Sequence, residues 1–388
     1  MEPAVSGPDD GTRTRHVAGA PGPPDAAYDA DVVILALDRA EDTVAAIASA
    51  LAQQGVSRHV FVIDQGSRPE NLARLAGAVA GRADATLVAL DQNLGVAGGR
   101  NRGTALGHGR VVAGLDNDAE FAGPDTLARA VAALDAEPDL AAIACRIVTF
   151  AGGADDPSSW GYPSALLPRA GACFDAVTFV GAGYAIRRTA WDDAGGYDAA
   201  LFFCWEEFDF CLRAIERGWR IRYRGDIVVR HKVSAERRVT WSGARWGYFV
   251  RNRLYIARKY GTPWPALLPR FAGYLLKGLR NGALAQTCRA LPAAMRLAGG
   301  RKPQVLSAAA LDYLHRNDRA HRGGWARRLW REALASLPGQ PAALPRVPGV
   351  GLPEHAGPAG EGPGPASAQG SSNPAWRPGA LVGREESK

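Results

Sequence analysis

The sequence predicts an α/β fold: a mostly parallel sheet with helices on both of its faces. Three observations predict it. Short apolar runs of strand length recur between residues 31 and 148. Segments of helical period alternate with them. Acidic and glycine-rich groups follow directly after the runs. Continuous apolar strands alternating with helices mark a parallel sheet covered on both sides. Such sheets bind ligands beyond the carboxyl ends of their strands.

The elements follow in order. DVVILAL at 31–37 is a buried-strand run, and Glu41 to Gln54 is helical, with Val44, Ile47, Ala48 and Leu51 on one face. HVFVID at 59–64 is a second strand, and Pro69 opens a helix, being suited to the first helical position. TLVAL at 86–90 is a third strand, followed by a glycine-rich turn and a helix. RVVAGLD at 110–116 is a fourth, Pro124 to Asp135 is helical, and LAAIACRIV at 140–148 is a fifth strand. The alternation then breaks. AVTFVGAGYAIRR at 176–188 reads as strand and Phe203 to Gly218 as a helix with a glycine stop. WRIRYRGDIVVRH at 219–231 reads as two short strands, and Trp241 to about Trp330 as mostly helical and basic.

Composition bounds the function classes. The chain has 388 residues, 47% hydrophobic and 22% charged, a globular balance with room for one large domain. Residues 1–28 and 336–388 are rich in Gly and Pro and are expected to be disordered, leaving an α/β domain at 29–260 and a basic helical region at 261–335. No apolar run reaches the length of a membrane span, and the N-terminus has no apolar signal core, so a cytoplasmic protein is expected. The cysteines at 145, 173, 204, 211 and 288 form no CxxC pair, which argues for reduced thiols. The net charge of +7 is uneven. Arg245 to Glu332 holds 18 Lys and Arg against 3 acids, a balance of +15, and the remainder sums to −8. Such a basic region suits an anionic partner. No nucleic-acid-binding motif accompanies it, so none is expected to bind.

Five segments carry chemistry. Asp116-Asn117-Asp118 ends a strand, where two acids can hold Mg²⁺ or Mn²⁺ against a diphosphate; a polar capping turn is the alternative. Asp64-Gln65-Gly66-Ser67 also follows a strand, and its acid can accept from a nucleobase or ribose or simply form a turn. Asn93-Leu94-Gly95-Val96-Ala97-Gly98-Gly99-Arg100-Asn101-Arg102-Gly103 is neither a dinucleotide fingerprint nor a P-loop. Its helix start and arginines suit an anionic donor, and helix-on-strand packing also explains glycines there. Trp205-Glu206-Glu207-Phe208-Asp209, with Arg213, crowds acids at a helix start. Some serve the helix dipole, and one can be a general base. His231 ends the last strand run and can complete a metal site or be structural.

In this order the segments resemble family 2 glycosyltransferases, the inverting GT-A-fold enzymes, and in particular their rhamnosyltransferase-like branch. The resemblance covers Asp31 to Tyr260, about 60% of the chain. Asn-x-Gly-x-Ala-Gly-Gly-x-Asn-x-Gly stands intact at 93–103, the DxD is Asp116-Asn117-Asp118, and Gly195-Gly196-Tyr197-Asp198 precedes the catalytic helix. The Glu-Asp-x-Asp motif reads Glu206-Glu207-Phe208-Asp209, followed by His231 and the pair Arg251-Asn252. Glu207 stands where the family has Asp, Gln65 replaces an Asn, and Ala36-Leu37-Asp38-Arg39 replaces a Thr-aromatic-Asn-Arg turn.

The resemblance implies single-displacement transfer from a nucleotide-diphosphate sugar to a carbohydrate or lipid-linked acceptor. It implies Glu207, with Glu206 and Asp209, as the catalytic group, and Asp116, Asp118 and His231 at the metal. It implies Asp38, Arg39, Asp64, Asn93, Gly95, Gly98, Gly99, Arg100, Asn101, Asp116 and Asn117 at the donor, and Trp205 and Arg251 at the acceptor. A sugar nucleotidyltransferase would also use such a sheet and metal, but the first strand ends without a glycine run. A catalytically silent sugar-nucleotide-binding protein has no need of the acids at 206–209. Trp264, Leu267, Leu268, Phe271, Leu275 and Leu279 share a helical face opposite Arg270, Lys277 and Arg280. That pattern suits an anionic membrane surface, or packing on the catalytic domain. Pro265 and Pro269 shorten the stripe.

Overall fold

The computed structural model describes residues 11–232 and 244–324. The expected tail at 336–388, residues 1–10 and the segment 233–243 lie outside the described residues.

Ten strands among the described residues join in one sheet. They are β1 (Thr14–Gly19), β2 (Ala30–Ala36), β3 (Arg58–Asp64), β4 (Ala85–Leu90), β5 (Val111–Leu115), β6 (Ala119–Phe121), β7 (Leu140–Thr149), β8 (Cys173–Ala176), β9 (Gly183–Arg187) and β10 (Arg220–His231). The order is β1-β4-β3-β2-β5-β9-β7-β10-β6, with β8 on β10. The helices are α1 (Ala40–Leu51), α2 (Pro69–Val79), α3 (Gly95–Thr104), α4 (Thr126–Ala136), α5 (Arg188–Ala194), α6 (Glu206–Glu216), α7 (Ala244–Lys259), α8 (Trp264–Arg280), α9 (Leu284–Ala298) and α10 (Ala308–Asn317).

Alternation along the strands sorts the core into two layers. Val32, Ile34, Val60 and Val62 pack with Ile47 of α1, Leu75 of α2 and Leu134 of α4. Val33, Phe61 and Ile63 point the other way, into a layer with Ala97 of α3, Phe210 of α6 and Trp246 of α7. Each such side chain is fully or almost fully buried, and burial of each Val, Leu, Ile or Phe among them contributes about 1.5–3 kcal/mol.

The parallel expectation holds for β4-β3-β2-β5 and for β7 beside β10. It fails at β9, which is antiparallel to both β5 and β7. A parallel neighbour needs a helical crossover, and residues 150–182 hold only short 3₁₀ turns and β8. The run at 176–188 therefore divides, with β8 ending at Ala176 and β9 beginning at Gly183. The two short strands expected at 219–231 are one strand, bulged between Arg224 and Val228. β1 forms within the stretch expected to be disordered, antiparallel to β4. Its residues alternate too little to signal a strand, and the open edge of β4 supplies the pairing.

Candidate active site

Four strand ends meet at one edge. β2 leads into Leu37-Asp38-Arg39, β3 ends at Asp64, β5 leads into Asp116-Asn117-Asp118, and β10 ends at His231. The last placement follows from register: β10 pairs with β6 so that His231 faces Ala119, the neighbour of Asp118.

Asp116, Asp118 and His231 each offer one ligand atom, and these atoms all lie within 4.8 Å of one another. Two carboxylate oxygens and an imidazole suit Mn²⁺ or Mg²⁺. His231 Nε2 lies 3.4 Å from Asp118 Oδ1, and Arg39 Nη1 donates to Asp118 Oδ2 at 2.9 Å. Burial would raise Asp118, but its hydrogen bond and charge interaction with His231, and those with Arg39, outweigh it and hold the carboxyl at about 2. Burial would likewise lower His231, yet its bonds to Asp118 and Asp156 lift it to about 10. The two carboxylates thus favour a positive charge beside them.

Behind the cluster stands a residue that sequence reasoning missed. Asp156, its side chain fully buried, lies 3.0 Å from His231 Nδ1. It also accepts from the backbone N–H of Ser158 at 2.9 Å and from Ser159 Oγ at 2.6 Å. Such a carboxylate fixes a metal-ligating imidazole in one tautomer and orientation. The signal was present as Asp-Pro-Ser-Ser, a capping residue before a proline, but nothing local ties it to His231 72 to 75 residues later.

The expected donor residues divide. Asp64 Oδ2 accepts from the backbone N–H groups of Gly66 and Ser67 at 3.2 Å, while its Oδ1 is buried with no protein partner. A buried acceptor without a donor calls for one, and a nucleoside N–H or O–H would supply it. Asn117 Nδ2 donates to Thr43 Oγ1 at 3.3 Å. Asp38 is engaged by α2, accepting from the backbone N–H of Arg68 at 2.9 Å and from Asn71 Nδ2 at 2.7 Å.

The glycine-rich segment mostly holds the fold. Asn93 Oδ1 accepts from the Gly95 N–H at 2.8 Å. Asn101 clamps the backbone of Tyr197, accepting from its N–H at 2.9 Å and donating to its carbonyl at 2.8 Å. Gly98 sits against Leu94, and Gly99 against Gln65. Gly95 has φ 71° and abuts the Phe202 carbonyl, where a Cβ would collide. Arg100 is 2% exposed and bridges the Val33 carbonyl to Asp116 Oδ1, the latter at 2.9 Å. These residues hold their neighbours in place: Gly95 against Phe202, Asn101 on Tyr197 and Arg100 on Asp116.

At the start of α6 the acids separate by role. Glu206 is buried, with Oε2 unpartnered, and burial and the charge of Glu207 hold it well above the usual carboxyl range. Glu207 is half-buried and raised to about 7 by burial, its backbone amide, Asp116 and Arg100 also acting on it. Gly181 lies so close to Glu207 Oε1 that a Cβ there would collide. Asp209, expected among the catalytic acids, is instead fully buried and bound by Arg213 Nε at 3.1 Å and Lys259 Nζ at 2.8 Å. With no exposed oxygen and two cations upon it, it serves as a structural anchor.

The turn into α6 is strained. Phe202, Cys204 and Trp205 have φ of 61°, 71° and 75°. Such residues cost about 1–3 kcal/mol each and persist where their surroundings hold them. Asn252 does so, with Nδ2 donating to the carbonyls of Leu201, Phe203 and Cys204 at 2.8–2.9 Å. Arg251 Nη2 adds a bond to the Leu201 carbonyl at 2.7 Å. The expected acceptor residues thus meet at this turn, Arg251 as its brace and Trp205 as its last residue, under the Arg253 guanidinium at 4.6 Å.

Residues 31–195 match the family model "Glycosyl transferase family 2". The chain carries a family 2 glycosyltransferase domain. The succinoglycan biosynthesis protein ExoO of Rhizobium meliloti (strain 1021) is 40% identical over 108 residues, 28% of this chain. The match spans 30% of the length of that relative. Among solved structures, GalNAc-T7 with UDP, GalNAc and Mn²⁺ superposes with TM-score 0.50 at 15% identity, over 68% of this chain and 52% of that one. The mannosyltransferase PcManGT from Pyrobaculum calidifontis, in complex with GDP-Man and Mn²⁺, gives TM-score 0.46 at 21% identity, over 80% of this chain and 85% of that one. The sheet and its helices are of the GT-A type, joined here by a helical C-terminal region. The glycosyltransferase family match stops short of Glu206, Glu207 and His231, whose places come from the geometry above.

Proposed function

We propose that the chain is a metal-dependent, inverting glycosyltransferase. It moves a sugar from a nucleotide-diphosphate donor to the hydroxyl of a carbohydrate or lipid-linked acceptor, in cell-surface polysaccharide or glycolipid synthesis. The cytoplasm, or the inner face of the cell membrane, is where such donors and acceptors meet. The observation that carries the reading is the convergence of Asp116, Asp118 and His231 within 4.8 Å at the edge where the parallel strands end, with Glu207 close enough to sense the charge of Asp116. The name of ExoO and the UDP and Mn²⁺ in the GalNAc-T7 structure agree with it.

A bound Mg²⁺ or Mn²⁺ supplies countercharge to the diphosphate as it leaves. The chain's own residues do the rest. Asp116 and Asp118 present carboxylate oxygens and His231 an imidazole nitrogen, each fixed from behind by Arg100, Arg39 and Asp156. Asp64 Oδ1 takes a hydrogen bond from the nucleoside. Glu207, as carboxylate, takes the proton of the acceptor hydroxyl, whose oxygen attacks the anomeric carbon from the face opposite the leaving group. One displacement inverts that carbon.

The donor is found by melting the protein with Mn²⁺ and a panel of sugar nucleotides. A true donor at a hundred times its Kd stabilises by about 2.7 kcal/mol. Proton NMR of the product with that donor should show the anomeric configuration opposite to the donor's. A product with retained configuration refutes the single displacement, and a panel with no stabilising member refutes the donor class.

A further inference from the structure

Helices α8 and α9 are apolar on two sides, and packing uses one of them. The buried side of α8 carries Leu267, Gly273, Tyr274 and Gly278, and that of α9 carries Thr287, Ala290 and Ala294. Both rest on α7, whose Trp246 Nε1 donates to Thr287 Oγ1 at 2.7 Å and whose ring meets Tyr274 edge-on at 5.8 Å. The stripe for which the sequence allows a membrane surface or packing on the catalytic domain belongs in part to this packing. Leu267 is buried, and Trp264 and Phe271 lie against the core.

The rest of that stripe overlaps one that stands in solvent. Leu268, Leu276 and Leu279 are 57%, 42% and 61% exposed, with Pro265, Pro269 and Ala272 exposed among them. Spacings of three and four residues put all six on one face. Across the turn at Asn281–Ala283, α9 repeats the pattern with exposed Leu284, Cys288, Pro292 and Met295. Scattered surface leucines need no explanation, but exposed apolar ridges on two adjoining helices do.

The surrounding charge says what covers them. No Asp or Glu occurs between Glu236 and Asp312. Arg280, Arg289 and Arg296 are exposed at the ridges. Arg289 and Arg296 have no acidic partner among the described residues. A second copy of the chain would bring like charges together across the contact. A layer of lipid phosphates would neutralise them. No helix among the described residues is long and apolar enough to cross a membrane.

We propose that the outer face of the α8–α9 hairpin docks on an anionic lipid bilayer, with its apolar ridges at the boundary of headgroups and acyl chains and its arginines against lipid phosphates. The proposal stands on these helices alone and is independent of the donor and acceptor of the active site.

Flotation of the full chain tests it without any sugar nucleotide, on vesicles of phosphatidylcholine alone or mixed with phosphatidylglycerol. Binding to the mixed vesicles, weakened by salt, is expected. Leu268→Glu/Leu276→Glu/Leu279→Glu should abolish it with an unchanged melting midpoint, since all three side chains are exposed. Arg289→Gln/Arg296→Gln should weaken it by about fivefold per arginine, and this pair keeps the test decisive if the leucine variant misfolds. Absence of flotation at low salt overturns the proposal, as does equal flotation of both variants. A wild-type dimer that the leucine variant dissolves would give the face to a second copy and overturn it too.

Discussion

Glu207 sits where a carboxylate is costly and useful at once. Burial raises it from 4.5 to about 7, so near neutral pH it can both lose a proton and regain one. Its base form grows as pH rises, so kcat/KM should climb through about pH 7 and level above it. Glu207→Gln should flatten that limb and lower turnover by about 10²–10⁴, with donor affinity kept. Stability should move the other way. A folded pKa above the unfolded one stabilises below about 4.5 and loses that contribution as pH rises through about 7. Glu207→Gln should therefore melt higher than wild type at pH 8, with the gain vanishing at acidic pH. An unchanged pH–rate profile in the variant would remove Glu207 from the base role. Asp156 makes a second prediction at this scale. Because it holds His231 Nδ1, Asp156→Ala should weaken Mn²⁺ binding by about 10–100-fold by calorimetry, while Asp156→Asn, which keeps an acceptor, should recover part of it. Equal loss in both variants would point to collapse of the loop instead.

The element that matters most for catalysis is the turn into α6, which places Glu206 and Glu207. Its three positive-φ residues are held by the Asn252 amide, with Arg251 as a second brace. Each lost hydrogen bond is worth about 0.5–1.5 kcal/mol, so Asn252→Ala should destabilise by about 2–4 kcal/mol in chemical denaturation. It should also lower kcat beyond what the folded fraction explains, because the strained turn relaxes and moves Glu207. Wild-type kcat in the folded fraction would show that the strain is incidental. Little of this was legible in the sequence. The pair Arg251-Asn252 lies some fifty residues beyond the turn it braces, and nothing in a linear pattern says that a side-chain amide will meet three carbonyls. The pairing of Asp209 with Arg213 lies within one helix at i,i+4, but its second cation, Lys259, comes from α7 and is likewise hidden in the linear pattern. The strands that run through both core layers were plain, because their apolar runs owe nothing to partners. The bulged β10 and the antiparallel β9 were not, since pairing direction and register are set by neighbours.

For the whole molecule, the strand order fixes what the site can be. Parallel strands β2, β3 and β5 bring Arg39, Asp64 and Asp116 to one edge, and β10 brings His231 from 115 residues away in the chain. The strand-end acids were readable because an acid just past a buried apolar run lies at the ligand-binding edge whatever the details of the loops. Their union with His231 depended on the β10–β6 register. This union would hold the metal on which donor binding depends, while Glu207 would serve the chemical step alone. This division is tested most directly by measuring Mn²⁺-dependent donor binding and turnover side by side in wild type, Asp118→Ala and Glu207→Gln. Asp118→Ala should lose both binding and turnover, and Glu207→Gln should bind donor as wild type does and turn over slowly. Near-native turnover of Asp118→Ala in metal-free buffer would contradict it.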